Sequence, residues 1–77
     1  MKITVAHVGY LHLKGVKNNS TIEVDDSKTV EDLLDRFGVK KEHQRYIVPI
    51  VNEKKRDLSY RLKNHDTLFL YLPVGGG

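Results

Sequence analysis

The chain contains no cysteine. That excludes a disulfide framework, a thiolate-held iron–sulfur cluster and a cysteine nucleophile. Any sulfur chemistry carried out here must therefore do without a thiol side chain. Long apolar runs are also missing, and nothing approaches the roughly 20 residues that a helix needs to cross a bilayer. Residues 1–8 hold one lysine and no continuous hydrophobic stretch, so no secretory signal is expected and the protein is read as cytoplasmic. There is no glycine-rich loop closing on Lys-Ser or Lys-Thr, so the motif of a P-loop nucleotide site is missing. His7, His12, His43 and His65 lack metal-ligand spacing, and no bound metal or cofactor is expected. No Ser/His/Asp arrangement can be argued, and there is no repeat and no low-complexity segment before the final glycines.

What is present suits one small domain. The chain has 77 residues, 39% of them apolar and 30% charged, which favours a soluble globular fold over disorder. A domain this small buries only about 60–65% of its unfolded surface, so its core must be closely patterned. Thirteen Lys and Arg against ten Asp and Glu leave a net charge of +3. Lys40-Lys41 and Lys54-Lys55-Arg56 are short clusters flanked by acidic residues. They read as solvated faces, not as a nucleic-acid footprint.

Alternation over residues 2–8 predicts an N-terminal strand with Ile3, Val5 and His7 on one side. Tyr10 to Asn19 reads as a wide turn. Residues 20–25 alternate again, with Ile22 and Val24 inward, as an antiparallel hairpin partner. Thr29 is a good N-cap with Asp32 at the reciprocal capping position, and Val30, Leu33, Leu34 and Phe37 form one apolar stripe. These predict a helix over 30–37, closed by Gly38 and Val39 in a left-handed C-cap. Tyr46 to Val51 predicts a third strand in which Pro49 argues for an edge or bulged position. Asn52-Glu53 turns the chain, a short fourth strand is expected near Arg56-Asp57, and Leu58 and Leu62 serve as anchors. Asn64-His65-Asp66 predicts a tight turn. The last strand, 67–72, places Leu68, Leu70 and Leu72 on one face and Thr67, Phe69 and Tyr71 on the other. This order predicts an α+β, β-grasp domain over residues 1–72. One main helix would lie across a mixed sheet of four or five strands. The first and last strands would lie side by side, with the crossover through the helix returning the chain parallel to the first.

The chain closes on Pro73-Val74-Gly75-Gly76-Gly77. Residues 73–77 are expected to form a flexible arm with a reach of about 17 Å. Glycines let such an arm enter a slot too narrow for side chains. Its carboxylate, ionised at neutral pH, could attack an activated phosphate held by a partner. The same glycines would also suit a merely frayed terminus.

Several segments together carry a resemblance. Thr29-Val30-Glu31-Asp32-Leu33-Leu34 is similar to a Thr-Val-x-x-Leu-Leu helix entry, and Ile50-Val51-Asn52 to a strand ending at an Asn turn. Leu62 to Leu68 is similar to a Leu-x-Asp-Gly-Asp-x-Val turn into the last strand, and Pro73 to Gly77 to a Pro-Val-x-Gly-Gly terminus. In this order, over nearly the whole chain, they resemble the MoaD/ThiS family of ubiquitin-like sulfur carriers. His65 stands where the family usually has glycine. Leu72 precedes a single Pro73 where two prolines are common, and Gly75 replaces a small side chain.

The resemblance implies a carrier or co-substrate and not an enzyme, one that could serve as the small non-catalytic subunit of a molybdopterin-synthase-type complex. A ubiquitin-activating-type adenylating enzyme (MoeB/ThiF-like) would use ATP to adenylate Gly77. A sulfur donor would then convert the terminus to a thiocarboxylate, with Gly76 needed for passage through the partner. The sulfur would go to molybdopterin, through the large subunit of molybdopterin synthase, or next to the thiamin thiazole, through thiazole synthase. The ten-residue connection between the first two strands is closer to the molybdopterin type. Two alternatives stay open: a protein modifier conjugated through Gly77, and a β-grasp interaction module without terminal chemistry. The free protein is expected to be a monomer that binds neither membrane nor nucleic acid. For partner docking the candidates are Ile50, Phe69 and Tyr71 on the open face of the sheet, Val48 beside them, and Pro73, Val74 and Gly75 in the arm. The competing expectation is that these aromatics pack under the chain's own 54–62 loop.

Overall fold

Alternating apolar residues build five strands, and the computed structural model describes them within residues 1–73. The expectations for Val74, Gly75, Gly76 and Gly77, and so for most of the arm, lie outside the described residues. The strands are β1 (Lys2–His7), β2 (Ser20–Glu23), β3 (Val48–Val51), β4 (Lys54–Lys55) and β5 (Thr67–Tyr71); the helices are α1 (Val30–Arg36) and α2 (Lys41–Gln44). The sheet order is β2-β1-β5-β3-β4. β1 pairs with β2 as an antiparallel hairpin and with β5 in parallel, Val5 opposite Leu68 and His7 opposite Leu70. β3 runs antiparallel to β5 and therefore also to β1. The parallel return expected through the helix thus arrives with β5, not with the strand next after the helices. One main helix across this mixed sheet is the β-grasp arrangement.

α1 forms where the stripe and caps predict. The Thr29 hydroxyl accepts from the Asp32 amide at 3.2 Å, and the Asp32 carboxylate accepts from the Thr29 amide at 2.9 Å. That exchange satisfies two of the helix's orphan donors, and the bonds to Thr29 hold the Asp32 carboxyl below its ordinary range. At the other end Gly38 adopts φ 80°, which glycine does without strain. Val39 donates to the Leu34 carbonyl and Gly38 to that of Asp35, the paired bonds of a Schellman closure. Val30, Leu33, Leu34 and Phe37 are all essentially inaccessible, packed on Ile3, Val5, Leu68 and Leu70 from the two central strands. Each such side chain contributes on the order of 1.5–3 kcal/mol of burial.

Four expectations need correction. Pro49 does not lie in an edge strand, because β3 has neighbours on both sides. Asn52 donates to the Thr67 carbonyl at 2.9 Å, so alternation along the ladder makes Pro49 and Leu70 a non-bonded pair. The missing N–H of Pro49 therefore points past the two residues of β4, and its carbonyl accepts from Arg56 at 2.9 Å. β4 itself falls at Lys54–Lys55, ahead of the expected Arg56-Asp57, because a two-residue turn at Asn52-Glu53 starts it at once. Tyr46 and Ile47 precede β3 instead of belonging to it, and α2 was not expected. Leu72 lies beyond the end of β5, half-buried against the core.

The tight turns are held by side-chain bonds and carry strain. The buried Asp66 carboxylate accepts from Asn52 Nδ2 and from the Lys63 amide, both at 2.8 Å, while Asn52 Oδ1 accepts from the Thr67 amide at 2.9 Å. His65 donates its amide to the Lys2 carbonyl with φ at 71°, the left-handed conformation that the glycine of the similar motif would take. Asn52 and Glu53 have φ of 51° and 71°, which makes a type I′ turn. Glutamate is strained there, where Asn-Gly is the favoured pair. Glu53→Gly is accordingly expected to raise folding stability by about 0.5–1 kcal/mol, read as a higher denaturant midpoint with unchanged slope. A lower midpoint would contradict the strain.

Candidate functional site

Two surfaces flank the place where the chain leaves the sheet. The first is the open face. Because Leu68 and Leu70 are fully buried under α1, alternation turns Phe69 and Tyr71 to the opposite side. There Ile50 lies directly across from Phe69, Val48 across from Tyr71, and Ala6 beside Phe69 on the parallel neighbour. Ile50 and Phe69 are half-buried and Tyr71 is exposed. The structure thus brings three of the sequence-predicted docking residues onto one patch. The loop that could have covered them packs elsewhere. Its Leu58 and Tyr60 carbonyls accept from the amides of Glu31 and Val30 at the start of α1, and both side chains lie against the helix-side core.

The second surface is a cleft of about 680 Å³ at the end of β5. Its apolar lining comes from Tyr10, Leu11, Val39, Tyr46, Ile47 and Leu72, with Pro73 at its edge. Three local devices shape it. The Tyr10 hydroxyl donates to the Leu72 carbonyl at 2.5 Å and so ties the β1–β2 loop to the chain's exit. The Lys14 amide donates to the Phe37 carbonyl at 2.9 Å, and the Lys14 stem crosses close over Gly38, where a Cβ would come within 3.1 Å of it. Finally, α2 is docked on α1 through Asp35. Gln44 Nε2 donates to one carboxylate oxygen of Asp35 at 2.7 Å and to the Val39 carbonyl at 2.9 Å, while Lys41 Nζ meets the other oxygen at 3.0 Å. The bonds from Gln44 and then Lys41 hold the Asp35 carboxyl below its ordinary range, and Asp35 in turn pushes the Lys41 ammonium up.

Pro73 is exposed at the end of the described chain, on the lining of the cleft. The other arm residues singled out from the sequence, Val74 to Gly77, lie outside the described residues. Sequence reasoning missed the cleft, since Tyr10 lay in a turn and Tyr46 in an expected strand. The signal for its wall was slight: Lys41 to Gln44 are adequate helix formers, but four residues are too few to show a period. Among the described residues, no group of three or more His, Cys, Asp or Glu could hold a metal ion. No helix among them is long and apolar enough to cross a membrane.

No protein-family model matches the chain, and no curated protein matches it in sequence. Solved structures do. The chain is similar over the full length of both partners to SAMP1 from Haloferax volcanii, with a TM-score of 0.69 and 23% identity. It is likewise similar, over the full length of both, to a chain from the complex of subunits 1 and 2 of molybdopterin-converting factor from Helicobacter pylori, with a TM-score of 0.65 and 27% identity. The protein therefore has the ubiquitin-like β-grasp fold. The second similarity agrees with the resemblance to MoaD/ThiS-type small proteins carried by the motifs.

The Tyr10 tie can be tested directly. Tyr10→Phe is expected to change stability by no more than about 1 kcal/mol, since the bond is exposed. It should nevertheless lower the amide order parameter of Leu72 in ¹⁵N relaxation while leaving Leu70 unchanged. Equal order at Leu72 in both proteins would remove the tie from the account.

Proposed function

We propose that this protein is a sulfur carrier for cofactor biosynthesis, working through the carboxylate of Gly77. The observation that carries the reading is the full-length similarity, at 27% identity, to a chain of the molybdopterin-converting factor complex. It is joined to a sequence that runs from β5 through Pro73 into Gly75-Gly76-Gly77. A carboxylate oxygen of Gly77 attacks the α-phosphorus of ATP held by a ubiquitin-activating-type enzyme, and pyrophosphate leaves. A sulfide-level donor then attacks the acyl carbon, AMP leaves, and the terminus becomes a thiocarboxylate. The folded body supplies no catalytic group in either step, which accords with the missing cysteine and the missing nucleotide loop. It acts as a handle by which partners orient the arm.

The structural neighbour belongs to a two-subunit complex. By extension, the sulfur-accepting partner here is a large subunit of the molybdopterin-synthase kind, with a thiazole synthase as the next choice. The patch of Ile50, Phe69 and Tyr71 suits recognition by the activating enzyme. An apolar, aromatic face of this kind is where hot spots form.

Incubation with a candidate activating enzyme, ATP and a sulfide source, followed by intact mass measurement, tests the reading. One oxygen replaced by sulfur is expected in wild type and is lost when Gly76-Gly77 is deleted. An unchanged mass would overturn the proposal, and Gly77 isopeptides on lysines in the native host would replace it with a modifier role. Separately, Phe69→Asp should weaken capture by the activating enzyme at least about tenfold while the circular dichroism spectrum stays native. Undiminished capture would remove the open face from the mechanism.

A further inference from the structure

The cleft at the end of β5 is a different surface from the open face. Leu11 and Ile47 on its lining are core residues on the helix side of the sheet, whereas Phe69 and Ile50 lie on the other side. We infer that this cleft is a docking site for an acidic, apolar segment of the partner that acts on the arm. The choice of partner rests on the function proposed above; the chemistry of the occupant rests on the cleft alone.

Charge is the first argument. Lys14 and Lys40 stand among the lining residues with His12 and His43, and among the described residues no carboxylate lines the cleft. The Asp35 carboxylate nearby is already taken up by Gln44 and Lys41. Arg45 holds a further positive charge against a lining residue, its guanidinium 5.0 Å from the centre of the Tyr46 ring and donating to the Tyr46 hydroxyl at 3.0 Å. A surface of this sign favours an occupant bearing Asp or Glu and disfavours one bearing Lys or Arg.

Shape and composition are the second. Tyr10 and Tyr46 are 47% and 54% exposed, although each sits against an apolar floor. Aromatic residues half in solvent beside a concave apolar surface are the usual anchors of protein recognition. A volume of about 680 Å³ holds a few side chains, which suits a short segment rather than a flat domain face. Residues 74–77 offer one apolar side chain, Val74, and three glycines, too little to fill it. A second copy, with its net charge of +3, would bring like charge to a basic rim.

Continuity is the third. Leu72 and Pro73 are part of the cleft wall, and the Leu72 carbonyl is held by Tyr10. A partner that grips residues 74–77 stands within about 14 Å of this cleft, the reach of four extended residues. Filling the cleft would fix the direction in which the arm leaves the body.

The test is a titration of the ¹⁵N-labelled full chain with a short synthetic peptide in which Leu and Phe alternate with Glu. Two control peptides carry Gln or Lys in place of Glu. Saturable shifts are expected at the amides of Tyr10, Leu11, Val39, Lys40 and Ile47, with affinity at least about tenfold weaker for the Gln peptide and none for the Lys peptide. The double variant Lys14→Glu, Lys40→Glu should reverse the preference between the Glu and Lys peptides while keeping a native spectrum. Shifts centred on Phe69 and Ile50, an equal response to all three peptides, or no saturable response would overturn the proposal. It would also be overturned if removing residues 74–77 moved the cleft amides in the absence of peptide, which would make the arm the occupant. Cleft shifts that grow with protein concentration would instead assign the surface to a second copy. The readout needs neither ATP nor sulfur. A failed titration therefore leaves thiocarboxylate formation standing, and a failed thiocarboxylate assay leaves the cleft's preference measurable.

Discussion

The parallel pairing of β1 with β5 is the contact on which everything else in this protein rests. It joins residues about sixty positions apart at the centre of the sheet, and Ile3, Val5, Leu68 and Leu70 on its inner face have no solvent exposure. A parallel pair needs both of its ends brought together through the whole intervening chain. The hairpin with β2, the helix stripe and the antiparallel partner β3 all take their positions from it. So do Leu72 and Pro73, which follow directly on β5.

Around that centre, polar side chains do what a longer chain would do with more secondary structure. The Asp66 carboxylate, the Asn52 amide and the backbone of Lys63 and Thr67 lock the β3–β4 turn to the start of β5. Asn64 Oδ1 accepts from the Lys2 amide, and His65 returns its own amide to the Lys2 carbonyl. These bonds hold Asn52, Glu53 and His65 at positive φ without glycine. Turns so constrained keep β5 in register, and register decides whether Phe69 or Leu70 faces the helix.

The two surfaces at the base of the arm differ in chemistry as well as in place. The open face is a flat aromatic and aliphatic patch assembled by cross-strand pairing. The cleft is concave, basic at its rim, and made by loops.

The sequence alone determined the elements whose signals are local. The α1 stripe, its Thr29–Asp32 capping box and the Gly38 closure are legible because helix period and caps are properties of adjacent residues. The same holds for alternation in β1 and β5, and for the tight turn at Asn64-His65-Asp66. Tertiary structure decided what depends on distant neighbours. Pro49 looked like an edge residue, yet it sits inside the sheet because its missing donor happens to face past the end of β4. α2 is too short to announce itself and exists because Asp35, on another helix, receives Gln44 and Lys41. The cleft could not be read at all from the order of residues. Tyr10, Val39, Tyr46 and Leu72 are far apart along the chain, and only the packing of three loops against the end of β5 makes them neighbours.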